Sequence, residues 1–286
     1  MEIIIHDTYS LYKEMINLPN EERGGFYENK LMEPFEPMLK IMNMPAKPET
    51  MGCLPLLGRD AEAEEMLTRL KAANAWESAR KALETAAERF HAAGLAVPEK
   101  VVLGIFLGDP EFLANNGGIT GFGGIPGYIQ VVITPDEKSL TLLPSIVAHE
   151  FHHNVLFYNA KWNFMEVTVA KYLVLEGLAE SFAESIYGYE YLGPWIKGLK
   201  GEELEKARKT TGEALNVKGF NQVRKYIFGD MLTSYEGAEA SGIPPYSGYA
   251  VGYHAVQAFL KKTGVSIEQA TVLEGEEIME RSEYFK

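Results

Sequence analysis

The chain has 286 residues, of which 46% are hydrophobic and 23% are charged, as is typical of a soluble globular protein with one or two domains. Its formal net charge of −13 argues against nucleic acid or an anionic membrane as the partner. The N-terminus lacks the pattern of a secretory signal, and no apolar run reaches the roughly 18 residues of a membrane-spanning helix. We therefore expect a cytoplasmic protein without membrane insertion. The single cysteine, Cys53, excludes an internal disulfide, and nothing around it favours a catalytic thiolate.

Residues 1–57 are predicted to form a helical N-terminal region with a proline-rich strap. Short apolar clusters between acidic turns indicate two short helices within residues 1–33. The following stretch carries several methionines among its prolines, which indicates a strap that packs on the protein and is not a disordered linker. The prolines are Pro34, Pro37, Pro45, Pro48 and Pro55.

Residues 58–190 are predicted to form the core. A pattern rich in Ala, Glu, Lys and Leu over residues 60–93 predicts helix, with a break near Asn74. Two apolar runs, residues 101–107 and 128–134, predict buried strands separated by a glycine-rich passage. These strands would form a small sheet.

Two long helices are predicted after the strands. One starts near Leu142, with Pro144 in its first turn, and the other covers about residues 166–187. Residues 191–286 are predicted to form a helical C-terminal part that completes a cleft, with its last two helices over about 246–262 and 267–281. The predicted fold is therefore α+β, mostly helical, with a small mixed sheet beside the two long helices.

A His-Glu-x-x-His pattern, His149 to His153, lies in the first of these long helices. Residues four apart share one helical face, so His149 and His153 can direct ring nitrogens at one metal ion, with Glu150 beside them. Because the helix is otherwise apolar, burying these side chains would cost several kcal/mol unless they are paired or bound to metal. We predict a zinc ion held by His149 and His153. His152 is an alternative ligand, but it lies about 100° around the helix from His153, and we interpret it as a neighbour of the site. The alternative to a metal site is a chance match formed by ordinary core histidines.

A third zinc ligand is needed, because a catalytic zinc usually has three protein ligands and one open position. Glu176 and Glu180 are the only ionisable side chains in the run from Leu173 to Glu180, and they share one helical face. We predict that Glu176 is the third ligand and that Glu180 accepts a hydrogen bond from a ligand histidine. The alternative is a solvated acidic face formed together with Glu184.

These two helices resemble the gluzincin metallopeptidases, the thermolysin-like clan. There a second helix gives a glutamate ligand, which corresponds to Glu176, and four residues later an acidic partner. Glu180 stands where thermolysin-like enzymes have Asp. More narrowly, the glycine-rich residues 121–124 and the C-terminal residues 248–254 are similar to the YjaZ-like family of predicted zinc-dependent proteases. The resemblance covers roughly residues 100–285.

The resemblance implies two further parts of a peptidase site. A Tyr or His from the C-terminal part would stabilise the oxyanion of peptide hydrolysis, and the candidates are Tyr249, Tyr253 and His254. An edge strand beside the zinc would pair with extended substrate, and either residues 128–134 or the glycines before them could do so. The alternative for those glycines is a hairpin in which they serve turns.

The sequence thus predicts a zinc peptidase with a peptide or protein substrate. One Zn²⁺ ion would lower the pKa of its bound water to about 7 and polarise the scissile carbonyl. Glu150 would act as the general base, taking the proton of the water and passing it to the leaving amine.

Two other functions are alternatives. Glu88 and His91 form a second Glu-x-x-His sequence besides Glu150 and His153, and two such pairs occur in di-iron carboxylate bundles. Such an oxidoreductase would leave His149 without a role. A non-catalytic protein with a structural zinc would instead close the site with four protein ligands.

Overall fold

The computed structural model of the protein describes residues 1–232, 240 and 242–286. The predicted fold class is confirmed, since the protein is α+β and mostly helical, with one four-stranded mixed sheet in the described residues. The chain divides into two compact units, Met1–Glu88 with Ala96–Val155 and Arg89–Leu95 with Leu156–Lys286.

The sheet lies in the first unit. Its strands are β1 Glu2–Ile5, β2 Lys100–Leu107, β3 Ile119–Phe122 and β4 Tyr128–Ile133. The helices that begin in this unit are α1 Thr8–Ile16, α2 Asn20–Phe26, α3 Glu36–Met42, α4 Asp60–Ala72, α5 Ala75–Ala92, α6 Pro110–Leu113 and α7 Glu137–Asn159. A π-helix follows α2 at Tyr27–Leu31, and short 3-10 helices occupy Glu33–Phe35, Pro48–Met51 and Ala114–Asn116.

The strand order is β1-β2-β4-β3, with β3 antiparallel to β4 and the other two pairings parallel. The two predicted strands correspond to β2 and β4. Because β4 pairs on both sides, residues 128–134 are not the edge strand. Of the two alternatives for the edge, the passage before them is the one that supplies it, as β3. Strand β1 was not predicted, since it is a short run that depends on pairing with distant β2. Strand β3 lies in the glycine-rich passage, which was one of two alternatives for the edge strand.

The proline-rich strap packs at the end of β2. The Leu54 N–H donates to the carbonyl of Leu107 over 2.8 Å. Arg23, only 5% exposed, pairs with Asp60 over 2.6 Å. Its guanidinium also donates to the backbone carbonyls of Ile16, Leu18 and Leu56. The strap is therefore an ordered part of this unit.

The helix of the His-Glu-x-x-His pattern begins at Glu137, earlier than predicted. Ser139 N–H donates to the Asp136 carboxylate over 2.7 Å, and Asp136 N–H donates to the Ser139 hydroxyl over 2.9 Å. These reciprocal bonds cap the helix start. Pro144 consequently lies inside α7, so its predicted place in the first turn is wrong.

The second unit is helical in its described part. Its helices are α8 Val169–Tyr187, α9 Pro194–Lys197, α10 Gly201–Gly212, α11 Phe220–Phe228, α12 Ser247–Thr263, α13 Ile267–Ala270 and α14 Gly275–Ser282, with a 3-10 helix at Tyr189–Tyr191. The single helix predicted over 267–281 is wrong, because the chain turns after Ala270, whose carbonyl accepts from Leu273 N–H. No helix in the described residues is sufficiently long and apolar to cross a membrane.

Two glycines let α8 and α12 pack backbone against backbone. A Cβ on Gly177 would overlap the carbonyl oxygen of Gly252, and a Cβ on Gly252 would overlap that of Leu173. We expect Gly177→Ala to lower the free energy of unfolding by about 1–3 kcal/mol, because overpacking outweighs the helix propensity of alanine. Urea denaturation measures this. The control is Gly24→Ala in α2, where an added Cβ meets nothing within 4 Å; equal midpoints for the two variants would contradict the close packing.

Candidate metal centre

The two outer histidines of the His-Glu-x-x-His pattern face each other on α7. Their Nε2 atoms lie 3.1 Å apart, and both side chains are buried. Two imidazole nitrogens bound at about 2.05 Å to one tetrahedral zinc lie about 3.3 Å apart. The separation of His149 and His153 therefore suits a shared metal ion.

Glu176 on α8 joins these histidines in one group. Each of the three residues offers a ligand atom, and these atoms all lie within 4.8 Å of one another. The three residues are 4 to 7% exposed, and in the part of the chain that the structure describes no other group of metal-ligating side chains reaches three members. Two histidines and a glutamate are a known ligand set of catalytic zinc, and a metal would offset the cost of burying the carboxylate. The residues present therefore fit a zinc ion.

Glu150 lies beside this group without belonging to it. Its side chain is buried, and β3 passes over it: a Cβ added to Gly121 would lie 2.6 Å from Oε1 of Glu150. Glu150 therefore stays a candidate for a proton-transfer role beside the metal-ligating group.

Glu180, one turn after Glu176 on α8, is also buried. Its Oε1 accepts a hydrogen bond from the indole Nε1 of Trp195 over 2.6 Å. The burial of Glu176 and Glu180 excludes the alternative of a solvated acidic face, while the half-buried Glu184 accepts from the amide of Gln257 over 2.8 Å. Sequence reasoning missed Trp195, because a tryptophan in a short helix distant from the motif carries no signal of its partner.

The three candidate oxyanion donors lie in different surroundings on α12. Burial, then a hydrogen bond to Glu184, raises the pKa of Tyr253 well above its usual value. Tyr249 packs among the aromatic rings of Trp195, Phe228 and Tyr246. His254 is half-buried, which lowers its pKa, and its ring stacks on Tyr284. The choice among these three residues stays a prediction.

Burial also shifts the pKa of His152 and Cys53, which do not belong to the metal-ligating group. Burial, reinforced by the neighbouring imidazoles, lowers the pKa of His152 well below its usual value and keeps the ring neutral. Burial raises the pKa of Cys53 to about 12, so its sulfur is a thiol at neutral pH. This agrees with the expectation that Cys53 is not a nucleophile.

The di-iron alternative requires Glu88 and His91 to form a second pair of metal ligands, and the described structure does not place them in a metal-ligating group. Glu88 and His91 are exposed on α5, and neither belongs to a metal-ligating group of three or more among the described side chains. That alternative also requires Glu150 as a ligand, whereas the group is formed by His149, His153 and Glu176.

Comparison with known proteins agrees with the chemistry of this group. The model of a family described as "Predicted Zn-dependent protease (DUF2268)" matches residues 75–280. The chain is 36% identical over 297 residues to "Uncharacterized protein YjfC" of Bacillus subtilis (strain 168), in an alignment that covers 100% of this chain and 99% of the relative. No solved structure gives a significant match.

Proposed function

This chain belongs to the family of predicted Zn-dependent proteases, and from that premise we propose that it is a gluzincin-type zinc metallopeptidase that cleaves peptide bonds in peptides or proteins. The observation that carries the proposal is the buried group of His149, His153 and Glu176, with Glu150 beside it. A structural zinc is normally closed by four protein ligands, whereas a set of three leaves one position open for reaction. The three-residue group therefore favours catalysis over a structural zinc.

In the proposed mechanism, His149, His153 and Glu176 hold one Zn²⁺ ion, which when bound polarises a carbonyl and makes water nucleophilic near neutral pH. Glu150 is the general base. Its carboxylate takes a proton from the attacking water and delivers it to the amine nitrogen as the carbon–nitrogen bond breaks. Burial of Glu150 supports this role, because limited contact with bulk water keeps the proton available for the return step.

Two further roles complete the proposal. Glu180 accepts a hydrogen bond from the second ring nitrogen of a ligand histidine and so keeps that ring in one tautomer. The Trp195 indole, which donates to Glu180, holds the carboxylate in place. Tyr249, Tyr253 or His254 donates to the oxyanion that develops on the scissile carbonyl.

The substrate backbone is proposed to bind along β3. This strand forms an end of the sheet in the described residues, and it passes directly over Glu150. An extended peptide can add to such an edge through main-chain hydrogen bonds, which give affinity without requiring a particular side chain.

Metal analysis together with a peptide-cleavage assay tests the function. The protein purified without added metal should contain about one zinc per chain and cleave members of a mixed peptide library, with products identified by mass spectrometry. Removal of zinc with a chelator should stop cleavage, and added zinc should restore it. Stoichiometric iron in place of zinc would support the di-iron oxidoreductase and contradict the proposal.

Replacement of the carboxylate at position 180 should weaken metal binding. We expect Glu180→Gln to lower zinc affinity by about 10- to 100-fold, because the amide holds a ligand histidine less well. Competition with a chromophoric chelator measures the affinity. The matched control is Glu184→Gln, one turn later on α8, where the carboxylate accepts from Gln257; equal affinities for both variants would remove Glu180 from the mechanism.

A further inference from the structure

Asn154, the residue after His153, fastens the β3–β4 hairpin to α7. Its side chain is fully buried. The amide Nδ2 donates to the carbonyl oxygens of Gly123 over 2.7 Å and Tyr128 over 3.0 Å, and Oδ1 accepts from the N–H of Gly127 over 2.7 Å. One carboxamide thus satisfies three backbone groups of the hairpin loop, so the loop cannot leave the helix without exposing or orphaning them.

Two glycines allow the hairpin to come this close. A Cβ on Gly121 would lie 2.6 Å from both Cγ and Oε1 of Glu150, and a Cβ on Gly123 would overlap the carbonyl oxygen of Glu150. Neither glycine has a φ in the left-handed region, so both are required for space and not for backbone conformation. The backbone of β3 therefore packs directly on the Glu150 side chain.

We propose that Asn154, Gly121 and Gly123 are positioning residues that form a clip, holding β3 against α7 and confining the carboxylate of Glu150. The catalytic consequence of the clip rests on the proposed function. A general base must lie within hydrogen-bond reach of the proton it removes, and misplacement by about 1 Å can reduce the rate by about 100-fold. A long, flexible glutamate side chain is restricted when rigid backbone closes one side of it.

The clip also fixes the strand that we propose to pair with substrate. Gly121 lies in β3, while Asn154 holds the loop that connects β3 to β4. The base and the substrate-binding edge are thereby held in register by the same helix, α7, that carries His149 and His153. One device would set both the position of the base and the path of the peptide.

Kinetics of Gly121→Ala test the positioning role. The zinc content should stay unchanged, kcat should fall by about 10- to 100-fold, and KM should change less than kcat, because the added methyl group displaces Glu150 and not the outer edge of β3. The matched control is Gly104→Ala in β2, where a Cβ would meet the side chains of Phe35 and Phe106. That control should lower stability but keep the kcat of the folded protein. Wild-type kcat in Gly121→Ala would overturn the proposal.

A stability cycle tests the same contact without any activity. Gly121→Ala should lower the melting temperature of the wild-type chain, and this loss should largely disappear in a Glu150→Ala background, where the added methyl group gains space. If Gly121→Ala lowered the melting temperature equally in both backgrounds, the added methyl group would not contact Glu150. That result would overturn the proposed clip.

Hydrogen exchange tests whether Asn154 holds the hairpin loop against α7. Asn154→Ala should speed exchange of the Gly127 amide by about tenfold or more, because the local opening of the loop becomes easier. Asn159→Ala, an exposed position at the end of α7, is the control. Unchanged exchange in Asn154→Ala would overturn the clip. If the wild-type chain cleaved no peptide, the proposed function would fail, while exchange and the stability cycle would still decide whether the clip exists.

Discussion

A Glu150→Gln variant should keep its zinc and lose peptide hydrolysis by about 100- to 10,000-fold. The glutamine amide has nearly the shape of the carboxylate, but it does not accept a proton at neutral pH. Zinc content should not change, because Glu150 lies outside the group formed by His149, His153 and Glu176. The measurements are kcat/KM on a fluorogenic peptide and zinc per chain by mass spectrometry.

The control for this variant is Glu137→Gln, which makes the same chemical change at the exposed first residue of α7. It should retain full activity, so a loss confined to position 150 could not result from altered net charge. The thermal stabilities of the two variants should also be compared, since an unfolded variant would lose zinc as well. Full hydrolysis by zinc-loaded Glu150→Gln would require another general base.

The candidate metal-binding group could be anticipated from sequence because its members occupy apolar helices. One helix carries two histidines four residues apart on one face, and the other carries two glutamates in an otherwise apolar run. Such polar side chains are costly to bury without a partner. Because of that cost, these residues can be recognised as a candidate site from the sequence without knowledge of the fold. In the structure, one potential ligand atom from each of His149, His153 and Glu176 lies within 4.8 Å of the other two. The pattern of a single helix cannot predict this meeting of two helices.

The edge strand could be anticipated only as one of two alternatives. Glycine has low strand propensity, so the passage containing Gly121 and Gly123 indicates a loop. Its first part, Ile119–Phe122, forms β3 because β4 offers it a pairing partner and because Gly121, without a side chain, can lie on Glu150. The missing Cβ of Gly121 weakens the strand pattern in the sequence. It also allows the strand to lie close to Glu150.

Asn154 and Trp195 escape prediction for a related reason. Each acts through partners that lie far away in the chain: Asn154 through the backbone of Gly123, Gly127 and Tyr128, and Trp195 through Glu180. A single asparagine in a buried helix indicates that some partner exists, since buried amides are nearly always hydrogen-bonded. It does not indicate which one.

A His149→Ala variant should bind zinc so weakly that hydrolysis is lost. Its zinc affinity should fall by more than the roughly 10- to 100-fold expected for Glu180→Gln, because a proposed ligand is removed and not merely reoriented. The loss should also appear without substrate. Zinc at about 100 times its dissociation constant stabilises a folded protein by about 2.7 kcal/mol, so zinc should raise the melting temperature of the wild-type chain and not that of the variant.

His149 is the residue that separates the two metal hypotheses, since it is a ligand in the zinc peptidase and has no role in the di-iron protein. His91→Ala reverses the comparison, because His91 belongs to the exposed Glu88–His91 pair that only the di-iron protein uses. In a zinc peptidase, His91→Ala keeps both the metal and the zinc-dependent shift in melting temperature, whereas His149→Ala loses them. Metal loss in His91→Ala together with metal retention in His149→Ala would establish the di-iron site. The comparison depends on metal content alone, and so it distinguishes the two sites before any substrate is known.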